Sequence, residues 1–194
     1  MDVARYEQTT GVSAPPGTAG GQELILAEVV AALAATPGGC RVVWLPFYST
    51  GTLARTLAQQ GVAVLTDPDA DRYDELPGWP IDAVYFGTPT VVGGQRLFPD
   101  HRAARGGEAW DATRERIVVR RLVGLAAAAG ARRVVCGLGS GDVALEERLG
   151  DVGPHAAVLA MKCFTDATSG LPFTDWVIAR DLPRPTILPR PTPS

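Results

Sequence analysis

Lysine is almost absent from this chain: its 194 residues hold 17 arginines and a single lysine, Lys162. So lopsided a ratio fits codon composition better than function, and it lowers the weight of any argument from arginine content. Cysteine is scarce too. Cys40, Cys136 and Cys163 are odd in number and far apart, which argues against a disulfide framework. Cys136 and Cys163 lie in apolar, strand-like runs, so two buried thiols are expected there. With His101 and His155 the only histidines, a metal cluster is not expected. No apolar run approaches the roughly 20 residues needed to span a bilayer. The opening decapeptide MDVARYEQTT lacks the basic end and apolar stretch of a secretory signal. These absences make a cytoplasmic protein with no membrane association the expectation. The net charge of −3 does not announce a nucleic-acid binder.

What is present suits one domain. The hydrophobic content of 46% is enough for a full core in a chain of this length. No internal repeat and no interior linker divides it. Residues 1–21 read as an N-terminal arm, because Ser13 to Gly21 carries two prolines and three glycines and cannot sustain a helix. The domain proper is expected over residues 22–181. From Leu182 onward there are five prolines in 13 residues, which predicts an extended tail. Oligomeric state is not legible.

Within the domain, apolar and polar runs alternate between helical and strand periods. Leu26, Val29, Val30 and Leu33 share one helical face from about Gln22, and Pro37-Gly38-Gly39 stops that helix. Strands are expected at Arg41–Leu45, Val62–Thr66, Asp82–Phe86 and Arg133–Cys136. Helices are expected at Gly51–Gln60, Glu108–Ala129 and about Val143–Leu149. In the long helix, Trp110, Ile117, Leu122 and Leu125 mark the inner face. A glycine-rich loop fills 87–107. Ala156–Cys163 and Asp175–Arg180 close the chain as a hairpin across Thr165–Pro172. Strands alternating with helices and closed by an antiparallel pair predict an α/β fold, a Rossmann-like doubly wound, mostly parallel sheet with a C-terminal antiparallel hairpin. Right-handed crossovers then bring the loops after Leu45, Thr66, Phe86 and Cys136 to one edge, where a site belongs.

The segment from Arg41 to Asp67 carries most of the chemistry. It reads strand, small-residue turn, helix, strand, acid. Gly51 can adopt positive φ and lets the backbone approach a ligand, and amides at a helix start favour carboxylate or phosphate. Asp67 can accept hydrogen bonds from ribose hydroxyls. The turn is not GxGxxG, so a dinucleotide is not specifically indicated. An ordinary turn with a solvated aspartate is the plain alternative.

Those residues bear a resemblance. Pro46-Phe47-Tyr48-Ser49-Thr50-Gly51 and the helix after it resemble the cofactor loop of S-adenosylmethionine-dependent methyltransferases of class I, nearest the DNA-adenine N6 enzymes. Val64-Leu65-Thr66-Asp67 is similar to their second cofactor motif. Gly20-Gly21-Gln22 is similar to their N-terminal Gly-Gly-Lys, with glutamine in place of lysine. The resemblance covers most of the chain. It implies S-adenosylmethionine as cofactor. Pro46, Phe47, Ser49, Thr50 and Gly51 would shape the pocket, Asp67 would bind the ribose, and Gly20 and Gly21 would line the methionine end. It also implies DNA or another nucleic acid as one possible acceptor, beside small molecules.

The acceptor motif departs from the family. An Asp-Pro-Pro-Tyr tetrapeptide is expected after the DAVYF strand, where its acid accepts from the target amine and its ring stacks on the flipped base. This chain has Gly87-Thr88-Pro89-Thr90, and only Pro89 matches. Thr88, Pro89 and Thr90 are the acceptor-side candidates, each hydroxyl offering one hydrogen bond, while Tyr85 should be buried or aimed elsewhere by strand alternation. Two competing readings follow: a catalytically degenerate homologue acting as a binding or scaffold protein, and a nucleotide-processing α/β enzyme using Asp67 or Asp69.

Other motifs have plainer readings. Gly137-Leu138-Gly139-Ser140-Gly141 could cradle phosphate but lacks a Walker lysine, so a tight strand-to-helix turn is preferred. Arg114, Arg116, Arg120 and Arg121 could track a nucleic-acid backbone. They share their helix with Glu108, Asp111 and Glu115, which favours a solvated charged face. Asp100-His101 could act as an acid–base pair, and an exposed loop histidine is the commoner outcome.

Overall fold

The computed structural model describes residues 21–46, 52–66, 79–88, 91–92, 95–96, 111–140, 142–165 and 172–183. In chain order the elements are α1 (Gly21–Ala34), β1 (Val42–Leu45), α2 (Thr52–Gln59), β2 (Ala63–Thr66) and β3 (Ala83–Gly87). They continue with β4 (Val91–Val92), β5 (Gln95–Arg96), α3 (Ala112–Ala128), β6 (Arg133–Gly139), α4 (Leu145–Val152), β7 (Ala157–Thr165) and β8 (Pro172–Asp181).

Strand alternation sorts the apolar side chains into two layers. Trp44, Val84, Phe86, Val134, Cys136, Leu138, Trp176 and Ile178 leave one face of the sheet and pack with Val118, Val119, Leu122 and Ala126 of α3. Val43, Leu45, Ala83, Val135, Val177 and Ala179 leave the other and pack with Val29 and Leu33 of α1 and Leu53 and Leu57 of α2. A period of two in every central strand against a period near 3.6 in the helices is what a sheet covered on both faces requires.

The six strands run in the order β2-β1-β3-β6-β8-β7, and β4 and β5 form a separate two-stranded ribbon. β2, β1, β3 and β6 are parallel. β8 enters antiparallel between β6 and β7. The Rossmann-like arrangement with a C-terminal antiparallel hairpin is therefore present. Parallel pairing also sets the carboxyl ends of β1, β2, β3 and β6 along one edge, as the crossover rule requires.

The opposite edge is clamped. The Asp82 carboxylate accepts the amide N–H of Arg41 at 2.8 Å and of Val42 at 2.9 Å, and pairs with Arg132. Desolvation alone would raise this carboxyl, but the two amide bonds and the guanidinium overcome it and hold it below the usual range. Arg132 also donates to the carbonyls of Pro37 and Gly39. Arg133 donates to the Ala32 carbonyl at 2.8 Å, so the C-terminal end of α1 lies at this clamped edge. α1 has 14 residues. At a helical rise of about 1.5 Å per residue it spans about 20 Å.

Several boundaries differ from the sequence expectation. The expected loop 87–107 contains the β4–β5 ribbon. α3 starts at Ala112 rather than Glu108, because the Asp111 carboxylate accepts the Arg114 amide at 2.8 Å and caps the helix there. Gly137, Leu138 and Gly139 belong to β6, since β3 pairs with Gly137 on one side and β8 with all three on the other. Both the phosphate-cradle reading and the preferred tight turn are thereby corrected for Gly137–Gly139, which are strand. Ile117, expected on the inner face of α3, is 59% exposed. The stripe instead runs Glu115, Val118, Val119, Leu122, Val123, Ala126. Cys136 is buried as expected, and burial pushes its thiol well up. Cys163 is exposed rather than buried; it lies on β7, an edge strand of the sheet. Among the described residues no helix is long and apolar enough to cross a membrane.

Candidate functional site

Register defines the carboxyl edge. Leu45 at the end of β1 is paired with Thr66 at the end of β2. Gly87 at the end of β3 is paired with Gly137. β6 runs two residues further, to Gly139, which faces Asp175 of β8. Pro46, buried, follows Leu45 directly. Of the sequence candidates, Pro46 and Thr88 are thus placed on one rim of the sheet, and Gly21 begins α1. Gly20, Phe47, Ser49, Thr50, Gly51, Asp67, Asp69, Pro89, Thr90, Asp100 and His101 lie outside the described residues.

Thr88 does more than the sequence suggests. Its amide donates to the Gly137 carbonyl at 3.3 Å. Its hydroxyl donates to Glu115 Oε1 at 2.5 Å. The same carboxylate receives two parallel bonds from Arg148, Nη1 to Oε1 at 2.7 Å and Nη2 to Oε2 at 3.1 Å. Thr88, Glu115 and Arg148 are all buried, the last two with side chains 1% and 2% exposed. Arg148 Nε has no hydrogen-bond partner. The residue after β3 is therefore tied through Thr88 to both α3 and α4, and its hydroxyl proton is spent on Glu115.

Asp175 stands at the same edge, on the first turn-side residues of β8. Desolvation pushes its carboxyl up to about 7, with Arg148 pulling the other way and Glu115 adding to the rise. Its strand is locked in place by Ser140, whose amide donates to the Thr174 carbonyl at 2.5 Å and whose hydroxyl accepts the Thr174 amide at 2.8 Å. Alternation with Trp176, which packs in the α3 layer, puts Asp175 on the α1 side together with Val177. Tyr85 shares that side. It is half-buried, and a Cβ added at Gly137 would lie 3.0 Å from its hydroxyl, so the phenol lies across a glycine.

Glu115, Arg148 and Asp175 were not among the sequence candidates. Glu115 shares α3 with charges expected on a solvated face, yet it precedes Val118, Val119 and Leu122 by three, four and seven positions, which is the phase of the buried stripe. Arg148 is in phase with the buried Val152 in the same way. Asp175 carries no comparable signal beyond standing next to Trp176-Val177-Ile178. The arginines of α3 are engaged. Arg116 donates to Asp151 at 2.8 Å and Glu147 at 3.0 Å, and Arg120 donates to Asp151 at 2.7 Å, which fastens α3 to α4. Among the described residues no group of three or more His, Cys, Asp or Glu could hold a metal ion.

No family model matches the sequence, and no curated protein does. Solved structures do resemble it. A release-factor-specific protein-(glutamine-N5) methyltransferase from Alicyclobacillus acidocaldarius is 21% identical, with 81% of this chain and 90% of that one covered and a TM-score of 0.42. TrmN from Thermus thermophilus is 12% identical with a TM-score of 0.40; the match covers 82% of this chain and 48% of TrmN, so the chain spans about half that protein's length. The delta-N METTL16 MTase domain is 13% identical over 92% of both chains, with a TM-score of 0.38.

Proposed function

We propose that this chain binds S-adenosylmethionine at the carboxyl edge of the sheet and transfers its methyl group to a nucleophilic acceptor, as a class I methyltransferase would. The observation that carries the reading is the sheet order itself, with an antiparallel β8 inserted beside the parallel β6. That is the arrangement implied by the resemblance of Pro46–Gly51 and Val64–Asp67. Fold alone does not fix function, so the residues must also fit. Leu45 and Thr66 are register partners, and the chain leaves them as Pro46 and Asp67. A turn backbone and a carboxylate thus leave adjacent strands at one edge. In this reading Pro46, Phe47, Ser49, Thr50 and Gly51 enclose the cofactor, Asp67 accepts from its ribose hydroxyls, and Gly20 and Gly21 approach its methionine end. When bound, the group supplies an electrophilic methyl; the chain's part is to align it with the acceptor.

With Gly87-Thr88-Pro89-Thr90 in place of Asp-Pro-Pro-Tyr, methylation of DNA adenine would have to use a different acceptor arrangement. Another nucleic-acid base or a small molecule is equally compatible. Isothermal titration with S-adenosylmethionine and with S-adenosylhomocysteine tests the cofactor half, and saturable one-to-one binding is expected. Absence of heat with both, at high protein concentration, contradicts it. Asp67→Ala should weaken binding by about 1.5–3 kcal/mol, the loss of a charged hydrogen bond; unchanged affinity would remove Asp67 from the ribose.

A second reading is a non-catalytic homologue that binds the cofactor and serves as a scaffold. It is favoured by one observation: the Thr88 hydroxyl, one of the few acceptor-side polar groups in the sequence, is buried and bonded to Glu115. Robust methyl transfer to any acceptor in a panel of DNA, RNA, protein and small molecules would dismiss it.

A further inference from the structure

β7 ends the six-stranded sheet, and among the described residues nothing pairs with its outer edge. It is nine residues long, contains no proline and carries one charge, Lys162. Edge strands that stay unpaired are commonly kept so by shortness, charge or proline. Five large apolar side chains of the described residues are exposed: Trp79, Ile117, Val158, Leu159 and Met161. The last three lie together on β7, so the exposure is concentrated on this strand. A bulge between Val158 and Ala160 interrupts the pairing with β8, and from Ala160 to Thr165 the register is regular. Within that run Met161 is opposite Trp176, and Cys163 is opposite Thr174, with its Sγ 3.5 Å from the Thr174 Oγ1. Opposed residues share a face, and Trp176 packs in the α3 layer. Met161, 66% exposed, and the exposed Cys163 therefore stand on the α3 side at the border of the sheet. Lys162 is opposite Asp175 and points to the other face.

We propose that β7 is the docking edge for a second copy of this chain, which adds its own β7 antiparallel about a two-fold axis at Cys163. Symmetry and charge select this occupant. An antiparallel strand pair is self-complementary, so one edge with unpaired backbone groups supplies both halves of a closed, isologous contact. Opposed side chains must share a face, so the axis passes through a residue position. Centred on Lys162, it would set two ammonium groups directly opposite each other, which is destabilising. Centred on Ala160 or Met161, it would draw Leu159 of each bulge into the pairing. Centred beyond Cys163, it would leave out Met161, the most exposed apolar side chain of the strand. Centred on Cys163, it pairs the regular segment Met161–Thr165 with itself, keeps the lysines out of direct opposition and sets Cys163 opposite the partner's Cys163. At about 3.4 Å per residue the paired segment is about 17 Å long. A contact of that size is at the small end of specific interfaces, so the dimer is weak and forms at micromolar concentrations or above. The two sheets then run on as one.

Sedimentation velocity of the full chain under reducing conditions, from about 5 to about 500 µM, tests it over the range such a contact requires. A concentration-dependent monomer–dimer equilibrium is expected. Met161→Lys should abolish it, since a lysine on a strand edge opposes pairing. Met161 is largely exposed, so the variant should melt like the parent at low concentration, where both are monomers. Directly opposed Cβ atoms lie about 4.5–5.5 Å apart, close to disulfide reach. Diamide, which takes up two electrons and two protons from a pair of thiols, should therefore trap the dimer as a disulfide. The trapped species should be absent in Cys163→Ser, which still dimerises under reducing conditions, and present in Cys40→Ser. A chain that stays monomeric throughout overturns the proposal. Labelling with Ellman's reagent then says why: a fast Cys163 marks a free edge guarded by its bulge and Lys162, and a slow one marks an edge covered by another segment, such as residues 184–194. A dimer indifferent to Met161→Lys, or one that diamide does not trap through Cys163, equally overturns it. None of these outcomes bears on the cofactor reading.

Discussion

Glu115 shows how one buried carboxylate can organise a sheet edge. It accepts from Thr88 on one side and from both terminal nitrogens of Arg148 on the other. Two ions taken out of water keep each other tolerable only while paired. Glu115→Ala strands the Arg148 charge and should destabilise the fold by about 3–5 kcal/mol, read as a shift in urea midpoint. Thr88→Val leaves the ion pair intact and removes one donor from a buried acceptor, which should cost about 1–3 kcal/mol; Thr88→Ser should recover most of it. Gly137→Ala is a finer probe. The new methyl would sit 3.0 Å from the Tyr85 hydroxyl, so the ring must move. The variant should therefore melt lower than the parent, and Tyr85→Phe in the same chain should restore part of the loss. At this scale the sequence was partly readable. Thr88 could be singled out because it follows a strand at the functional edge. Glu115 could not be separated from Asp111 by composition, since one caps α3 and the other lies inside it, and only the helical phase of Val118, Val119 and Leu122 tells them apart.

Elements were more legible than their ends. α1, β1, α2, β2, β3 and the β7–β8 pair could be placed because apolar period and glycine punctuation agree there. Boundaries shifted where a single contact decides. Asp111 starts α3, and Asp111→Ala should cost about 0.5–2 kcal/mol while leaving the α3–α4 ion pairs in place, measurable as lower helicity and lower midpoint. β6 continues through Gly137-Leu138-Gly139 because partners on both sides extend it, although the glycines alone suggest a turn. That extension carries Gly139 to Asp175. The β4–β5 ribbon was hidden by its short strands, Val91–Val92 and Gln95–Arg96, inside a glycine-rich stretch.

For the whole molecule, two carboxylates set opposite pH dependences. Asp82 is held low at the clamped edge, so it contributes stability above its unfolded value that is lost as the pH falls through its lowered folded value. Asp175 is raised from 3.8 to about 7, so the folded state holds its proton more tightly than the unfolded state across that window. Stability should therefore fall as the pH rises from about 4 to about 7, and flatten above. The decline in urea midpoint between about pH 5 and about pH 8 should be smaller in Asp175→Asn than in the parent. The two edges of the sheet thus divide the work: one is pinned by Asp82 and Arg132, and the other gathers Pro46, Thr88 and Asp175. The claim that the second edge is a cofactor site is tested most directly by following backbone amide signals in NMR while S-adenosylhomocysteine is added. The account predicts saturable shifts at Leu45, Thr66, Gly87 and Thr88, with Asp82, Arg132 and Asp181 unmoved. No shifts, or shifts confined to the Asp82 edge, would contradict it.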